Sequence, residues 1–346
     1  DELRKRIDRR IFGYTGVYTH DYYNSFSKWC KEHYDWSFPE EELCFTPGII
    51  PALYQLTETL CNKDEKVLMN TPAYGYFLHS AEYAGVGVLQ SPLKKKPGGT
   101  FELDYENFEQ QCANPQCKMV FWCNPQNPTG RMWTEEELRR IAGIVEKYNL
   151  WIVSDEIHCD LIRCGRKHIP MAKVMTSYPK LITCMAPSKT FNLAGLAFSN
   201  IIIRDPVLRE RFKERDKLFG MVNPMSLTAA KAAYDKGGAW HEELKQYLDA
   251  NFAFVKDFFD KNLPDAVMYI PEATYLAWVD LSKCLPDVED LPDFFANKAG
   301  VLLEGGNSLF VGNAAGYIRL NLAMPRSILK TGLERMRDTI NAHNKH

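Results

Sequence analysis

The chain has 346 residues, is 45% apolar and 25% charged, and carries a formal net charge of −2. That length supports a large core and two domains, and the composition is ordinary for a globular protein. The near-neutral charge leaves no electrostatic footprint for nucleic acid, and no apolar run is long enough to span a bilayer.

The sequence opens DELRKRIDRRIF without an initiator Met, as a fragment or a processed chain does, and no signal-peptide pattern is visible. Ten cysteines are scattered without a CxxC pair, which supports neither a zinc ribbon nor a redox motif. Several sit in apolar runs such as VFWCN and LITCM, so reduced, buried thiols in a cytoplasm are expected.

In chain order, KVLMN (66–70) and GVGVLQ (85–90) read as strands around a helix near 75–83. The basic run Lys94-Lys95-Lys96, ahead of Pro97-Gly98-Gly99, reads as a solvated loop. KMVFWC (118–123) is a buried strand. Thr134 and Glu137 form a capping-box pattern opening a helix with apolar positions at 138, 141, 144 and 145. LWIVSDE (150–156) is the next strand and completes a βαβ unit. KLITCMAPS (180–188) and FSNIIIRD (198–205) continue the alternation. The reading is an α/β fold with a mostly parallel or mixed sheet between helices.

After about residue 240 the character changes. WHEELKQYLDANFAFVKDFFDKNLP reads as one long amphipathic helix with Leu244, Tyr247, Leu248, Phe252, Val255 and Phe259 on its packing face. Short strands (VMYI, TYLAWVDL, YIRLNLA) and helices (DLPDFFANKAG, RSILKTGLERMRDTINAHN) follow. The expected division is a large domain over 20–240 and a smaller α+β domain made of 241–346 with residues 1–19.

In open α/β sheets ligands bind beyond the carboxyl ends of the strands. Four such ends carry polar groups: NTPAYGY (70–76), NPQNPTG (124–130), SDEIHCD (154–160) and APSKT (186–190). Lys189 could hold a phosphate, face solvent or act as a catalytic amine. No glycine precedes it as a Walker A loop requires, which argues against the first reading. The third gains from the set. An aldehyde cofactor with a pyridine ring needs an amine, a carboxylate for the ring nitrogen, a stacking ring and a donor for the ring oxygen. Lys189, Asp155, Tyr74 and Asn127 can supply these in turn, although Asp at a strand end is also a common helix cap and Asn-Pro a common turn.

The combination NPQNPTG, SDEIHCDL, APSKTFNLAGL and YIRLNLA resembles the fold type I, pyridoxal-phosphate (PLP)-dependent class I/II aminotransferases. Within them it is most similar to the cystathionine β-lyase branch of the PatB/MalY type, which includes bacterial C–S lyases. The resemblance runs from IFGYT (11–15) to the C-terminal helix. It implies a large domain with a seven-stranded-type, mostly parallel sheet plus a smaller α+β domain, and PLP as cofactor. By motif, Lys189 would bind the cofactor aldehyde, Asp155 the pyridine nitrogen and Asn127 the ring oxygen, with Tyr74 stacked on the ring. GIIPAL (48–53) resembles the helix start that binds the phosphate through the N–H groups of Ile49 and Ile50, beside Ser188. Tyr14 resembles the tyrosine that reaches the phosphate from a neighbouring subunit, which implies a homodimer with shared sites. Arg319 matches the arginine that clamps the α-carboxylate of a small amino-acid substrate.

Three departures bear on this. A tyrosine is usual three residues after the Asp, and here His158 stands there, as in the PatB/MalY branch, which favours the lyase reading; the alternative is a satisfied hydrogen-bonding residue near the cofactor. An arginine is usual eight residues after the lysine, and here Ala197 stands there, which shifts the phosphate onto backbone, Ser188 and Tyr14. Family members also carry a further N-terminal segment, with a Trp-containing stretch near the substrate, ahead of the point where this sequence opens. The implied activity is a PLP-dependent C–S β-lyase releasing pyruvate, ammonia and a thiol. An aminotransferase is the first alternative, and a regulatory protein on the same fold the second. Tyr22, Tyr23 and Trp29 either line the side-chain pocket or pack.

Overall fold

The computed structural model describes residues 1–13, 20–216 and 222–345. Seven strands form the main sheet: β1 (Leu43–Thr46), β2 (Lys66–Thr71), β3 (Gly87–Pro92), β4 (Cys117–Cys123), β5 (Trp151–Asp155), β6 (Leu181–Met185) and β7 (Ser199–Ile203). Their spatial order is β1-β7-β6-β5-β4-β2-β3. β7 runs antiparallel to both neighbours and every other pair is parallel, so the expected mostly parallel sheet is present.

The central strands read as unbroken apolar runs because both faces are covered. Successive side chains point to opposite faces. Val120 and Trp122 of β4 join one core, with the helix His20–Tyr34 and Trp133; Met119 and Phe121 join the other, with Phe77, Val153 and Ile182. Helix α1 (Ile49–Leu60) lies on the second face. Helix α2 (Gly75–Ala84) ends at Gly85, which takes the left-handed conformation (φ 68°), so the next strand starts at Gly87 rather than at residue 85. Helix α3 (Glu135–Lys147) carries the expected capping box between Thr134 and Glu137.

A second, four-stranded antiparallel sheet follows in the order β8-β9-β11-β10, from β8 (Val267–Met268), β9 (Leu276–Asp280), β10 (Glu304–Gly305) and β11 (Tyr317–Asn321). Helices α4 (Gly238–Asn262) and α5 (Arg326–His343) share its core through Phe252, Val255, Phe259, Leu333 and Met336. The helix Glu2–Asp8 packs on the helix Pro224–Lys236. No helix among the described residues is long and apolar enough to cross a membrane.

Two expectations need correction. Tyr247 does not join the packing face of α4: it is exposed, and its hydroxyl oxygen accepts the Arg326 N–H at 3.0 Å. The run Lys94–Lys96 is not a free solvated loop. Lys94–Lys95 form a short strand against Phe101–Glu102, and the three amines pair with Asp104, Asp280 and Glu102. The pairing carboxylates are distant in sequence or hidden among other acids.

Glycine changes at two positions test the backbone reading. Gly130 sits at φ 69°, and a Cβ there would lie 2.6 Å from Pro271. Gly143 is exposed inside α3 with open space around it. Gly143→Ala is expected to stabilise by about 0.5–1 kcal/mol, and Gly130→Ala to destabilise by more than ~1 kcal/mol. Urea midpoints at constant m-value check both signs.

Candidate active site

The parallel register brings the three central strand ends level. Cys123 pairs with Asp155, and Asp155 with Cys184. Whatever follows each strand therefore opens into the same space. After β4 the chain turns through 124–130, where Gln126 ties the loop: its amide N–H donates to the Pro72 carbonyl (2.8 Å) and its Oε1 accepts the Thr129 N–H (2.9 Å). Gly130 lets this loop lie against 271–273, where a Cβ would collide. Asn127 is thereby held at the rim.

After β6 comes one helical turn, Pro187–Thr190, with Pro187 pre-shaped at its first position. Lys189 leaves this turn toward the cavity. Thr190 next to it donates its hydroxyl to Asp160 (2.9 Å), a buried carboxylate that also accepts from Trp29 Nε1 (2.8 Å) and the Tyr34 hydroxyl. The segment after β5 thus clasps the turn after β6. Glu156, fully buried, is satisfied by Ser154, His168 and the Met171 N–H.

One cavity of about 400 Å³ is lined by Ile49, Ile50, Tyr74, Asn127, Asp155, His158, Ser188, Lys189 and Arg319. Nine of the sequence-derived candidates therefore meet in one place. Tyr14 lies outside the described residues. At one end of the cavity, α1 begins at Gly48, and the N–H groups of its first turn have no helical acceptor. Pro51 in that turn gives up a donor the helix would not use.

At the other end stands Arg319 on β11, only 8% exposed. Its Nη1 donates to Asn127 Oδ1 at 2.8 Å, leaving the donor Nδ2 of that amide for another acceptor. Its Nε donates to Glu304 Oε2 at 3.0 Å, and Nη2 closes on the same oxygen. The guanidinium lies 4.9 Å from the Phe310 ring centroid, and 5.9 Å from that of Tyr74.

The charges are unusual. Asp155 is buried and, among the described residues, has no cation within ion-pair distance; only the Ile157 N–H donates to it, at 3.1 Å. Burial pushes its pKa up to about 7, against the opposing pull of that N–H and of Lys189. Burial also lowers the Lys189 amine, helped by Arg319 and opposed by Asp155 and Glu304. His158 is pushed down to about 3 by burial and by the nearby cations Lys189 and Arg319, so its ring is neutral at ordinary pH. Its Nδ1 is buried without a hydrogen-bond partner among the described residues. Burial lifts the Tyr74 phenol to about 12.

Tyr22, Tyr23 and Trp29 turn out to pack. Tyr22 donates to Asn200 (2.7 Å), Tyr23 to the Phe38 carbonyl (2.6 Å) and Trp29 to Asp160, and none lines the cavity. Among the lining residues that sequence reasoning missed are Tyr275 and Glu304. Tyr275 lies edge-on to His158 with ring centroids 5.9 Å apart. Glu304 is the register partner of Arg319, a relation that strand pairing reveals and local sequence does not.

Comparison with known proteins agrees with this fold. The family of aminotransferase class I and II matches residues 2–336. The cystathionine beta-lyase PatB of Bacillus subtilis is 35% identical over 97% of this chain and 87% of its own length. Protein MalY of Escherichia coli is 30% identical over 99% and 87%. The PLP-bound C–S lyase from Staphylococcus hominis superposes with a TM-score of 0.94 at 42% identity, over 98% of this chain and 86% of that one. The chain belongs to the aminotransferase class I and II family, in the branch that contains PatB and MalY.

Proposed function

We propose that this chain is a PLP-dependent C–S β-lyase. It would convert an L-amino acid with a sulfur substituent on its β-carbon, plus water, to pyruvate, ammonia and a thiol. One observation carries the cofactor reading: Asp155, a buried carboxylate with no cation at ion-pair distance among the described residues, faces the same cavity as Lys189. A protonated pyridine nitrogen is the partner such a group lacks, and the phosphate suits the open first turn of α1. The choice of lyase over transaminase is supported by SDEIH with His158 in place of tyrosine, and by the named activities of PatB and the Staphylococcus hominis enzyme.

On this reading Lys189 Nζ binds the cofactor aldehyde. Asp155 would hold the ring nitrogen protonated, Tyr74 would cover the ring, and Asn127 Nδ2 would donate to the ring oxygen. Ile49, Ile50 and Ser188 hold the phosphate, and Arg319 orients the substrate carboxylate. When bound, the cofactor withdraws electrons from the substrate α-carbon so that its proton can leave and the β-substituent can depart. Lys189, freed when the substrate amino group takes its place and with its proton affinity lowered by burial, would be the base at that α-proton. His158 stays neutral and contributes a hydrogen-bonding ring beside Lys189 without adding charge.

The same reading places the cofactor on residues 20–240 and makes the working unit a cytoplasmic homodimer, with Tyr14 of one copy completing the phosphate site of the other. Exposed Tyr83, beside a recess lined by Ile50, Pro51 and Tyr54, puts apolar surface next to that site.

The direct test is pyruvate release from L-cystathionine with PLP and no keto acid. Sustained turnover is expected, with Lys189→Ala lowering kcat at least ~10³-fold. Absence of pyruvate from a holoprotein that instead transfers its amino group to a keto acid would establish transamination. Arg319→Ala is expected to raise KM by at least ~10-fold.

A second test needs no turnover. The pKa of Asp155, about 7 in the folded protein, lies above its ordinary value of 3.8. Between the two, the folded chain keeps a proton that the unfolded chain has released, so this group costs stability as pH rises through that window. Asp155→Asn is therefore expected to raise the Tm of the cofactor-free protein at pH 8 by a few degrees, with the gap closing toward pH 5. The same change should weaken PLP binding. Thermal scans at both pH values check it.

A further inference from the structure

We propose that Glu304 is an internal occupant of the substrate-carboxylate site, which an incoming substrate must displace. The inference rests on the reading of Arg319 as the carboxylate clamp. A guanidinium recognises a carboxylate best through two parallel N–H groups on one edge. In this chain the Nε/Nη2 edge of Arg319 is closed on Glu304 Oε2, and Nη1 is engaged by Asn127. A substrate carboxylate approaching the same fork meets a carboxylate already there.

The placement is built into the sheet. Glu304 and Arg319 are paired residues of β10 and β11, so their side chains rise on the same face. The backbone beside Glu304 lies close against β11: a Cβ at Gly305 would lie 2.5 Å from the Tyr317 carbonyl oxygen. Release then needs only rotation of the Glu304 side chain. That side chain has somewhere to go. It is 53% exposed where Arg319 is 8%, and the pair separates the catalytic cavity from a second, largely apolar one of about 710 Å³ bounded by Met324, Ile328 and Leu329.

The exchange conserves charge in the pocket. With the cavity empty, Glu304 neutralises Arg319; with substrate bound, its carboxylate does so and Glu304 turns to solvent. The competent fraction of Arg319 is then less than one, and measured affinity for any carboxylate is reduced by that fraction. Glu304 also screens the pocket against a second negative charge on the ligand.

The test uses the PLP-loaded protein and propionate, a carboxylate with no amino group and hence no turnover. It is titrated at constant ionic strength and followed by cofactor absorption and calorimetry. Glu304→Gln is expected to tighten propionate binding about three- to tenfold. Glu304→Asp keeps the charge but shortens the reach by one methylene, and is expected to give most of the same gain. If Glu304→Asp binds like the wild type while Glu304→Gln gains, simple repulsion is at work and the displacement proposal fails. It fails also if neither variant gains while Arg319→Ala abolishes binding; the clamp then stands without the competitor. Binding that survives Arg319→Ala would overturn the clamp reading itself, and this proposal with it.

Discussion

A carboxylate held at the buried end of a central strand, with no cation at ion-pair distance among the described residues, is the constraint around which the site is arranged. Asp155 is fixed at the end of β5 between β4 and β6, buried except where it faces the cavity. Its charged form is costly there, which is why its proton affinity is raised. A cation placed by a ligand would remove that cost, so the stability of the fold and the binding of the cofactor are coupled through one side chain.

The sheet register explains how that side chain meets the others. Parallel strands end on one side, and the loops of β4, β5 and β6 contribute Asn127, Asp155 and Lys189 from positions up to 62 residues apart in sequence. Arg319 arrives from a different, antiparallel sheet, and its bond to Asn127 joins the two sheets across the cavity. A shift between them would move the carboxylate-binding end relative to the ring-binding end. The Gln126 bonds and the close approach at Gly130 hold the intervening loop against the 271–273 segment and so oppose that shift.

Much of this was legible in the sequence, for physical reasons. Buried parallel strands show as apolar runs, the Thr134–Glu137 cap follows a fixed spacing, and strand ends carry their polar residues in view. The candidates Lys189, Asp155, Asn127 and Arg319 were found because chemistry needs those groups and the motifs place them. What was hidden depends on pairing between distant segments. Glu304 sits in an ordinary Leu-Leu-Glu-Gly-Gly run, and only the β10–β11 register sets it against Arg319. Trp29 could not be told from a pocket residue until its N–H was seen to end on Asp160. The Lys94–Lys96 run looked solvated because Asp280, 185 residues from Lys95, gave no local sign.

The most direct test of the account is the ionisation of Asp155 with and without PLP, read by infrared difference spectroscopy and assigned with Asp155→Asn. The account predicts that at pH 6 the cofactor-free protein holds Asp155 as a neutral acid, and that adding PLP converts it to carboxylate. An Asp155 that is already ionised without PLP at that pH, or that keeps its proton after PLP binds, would contradict it.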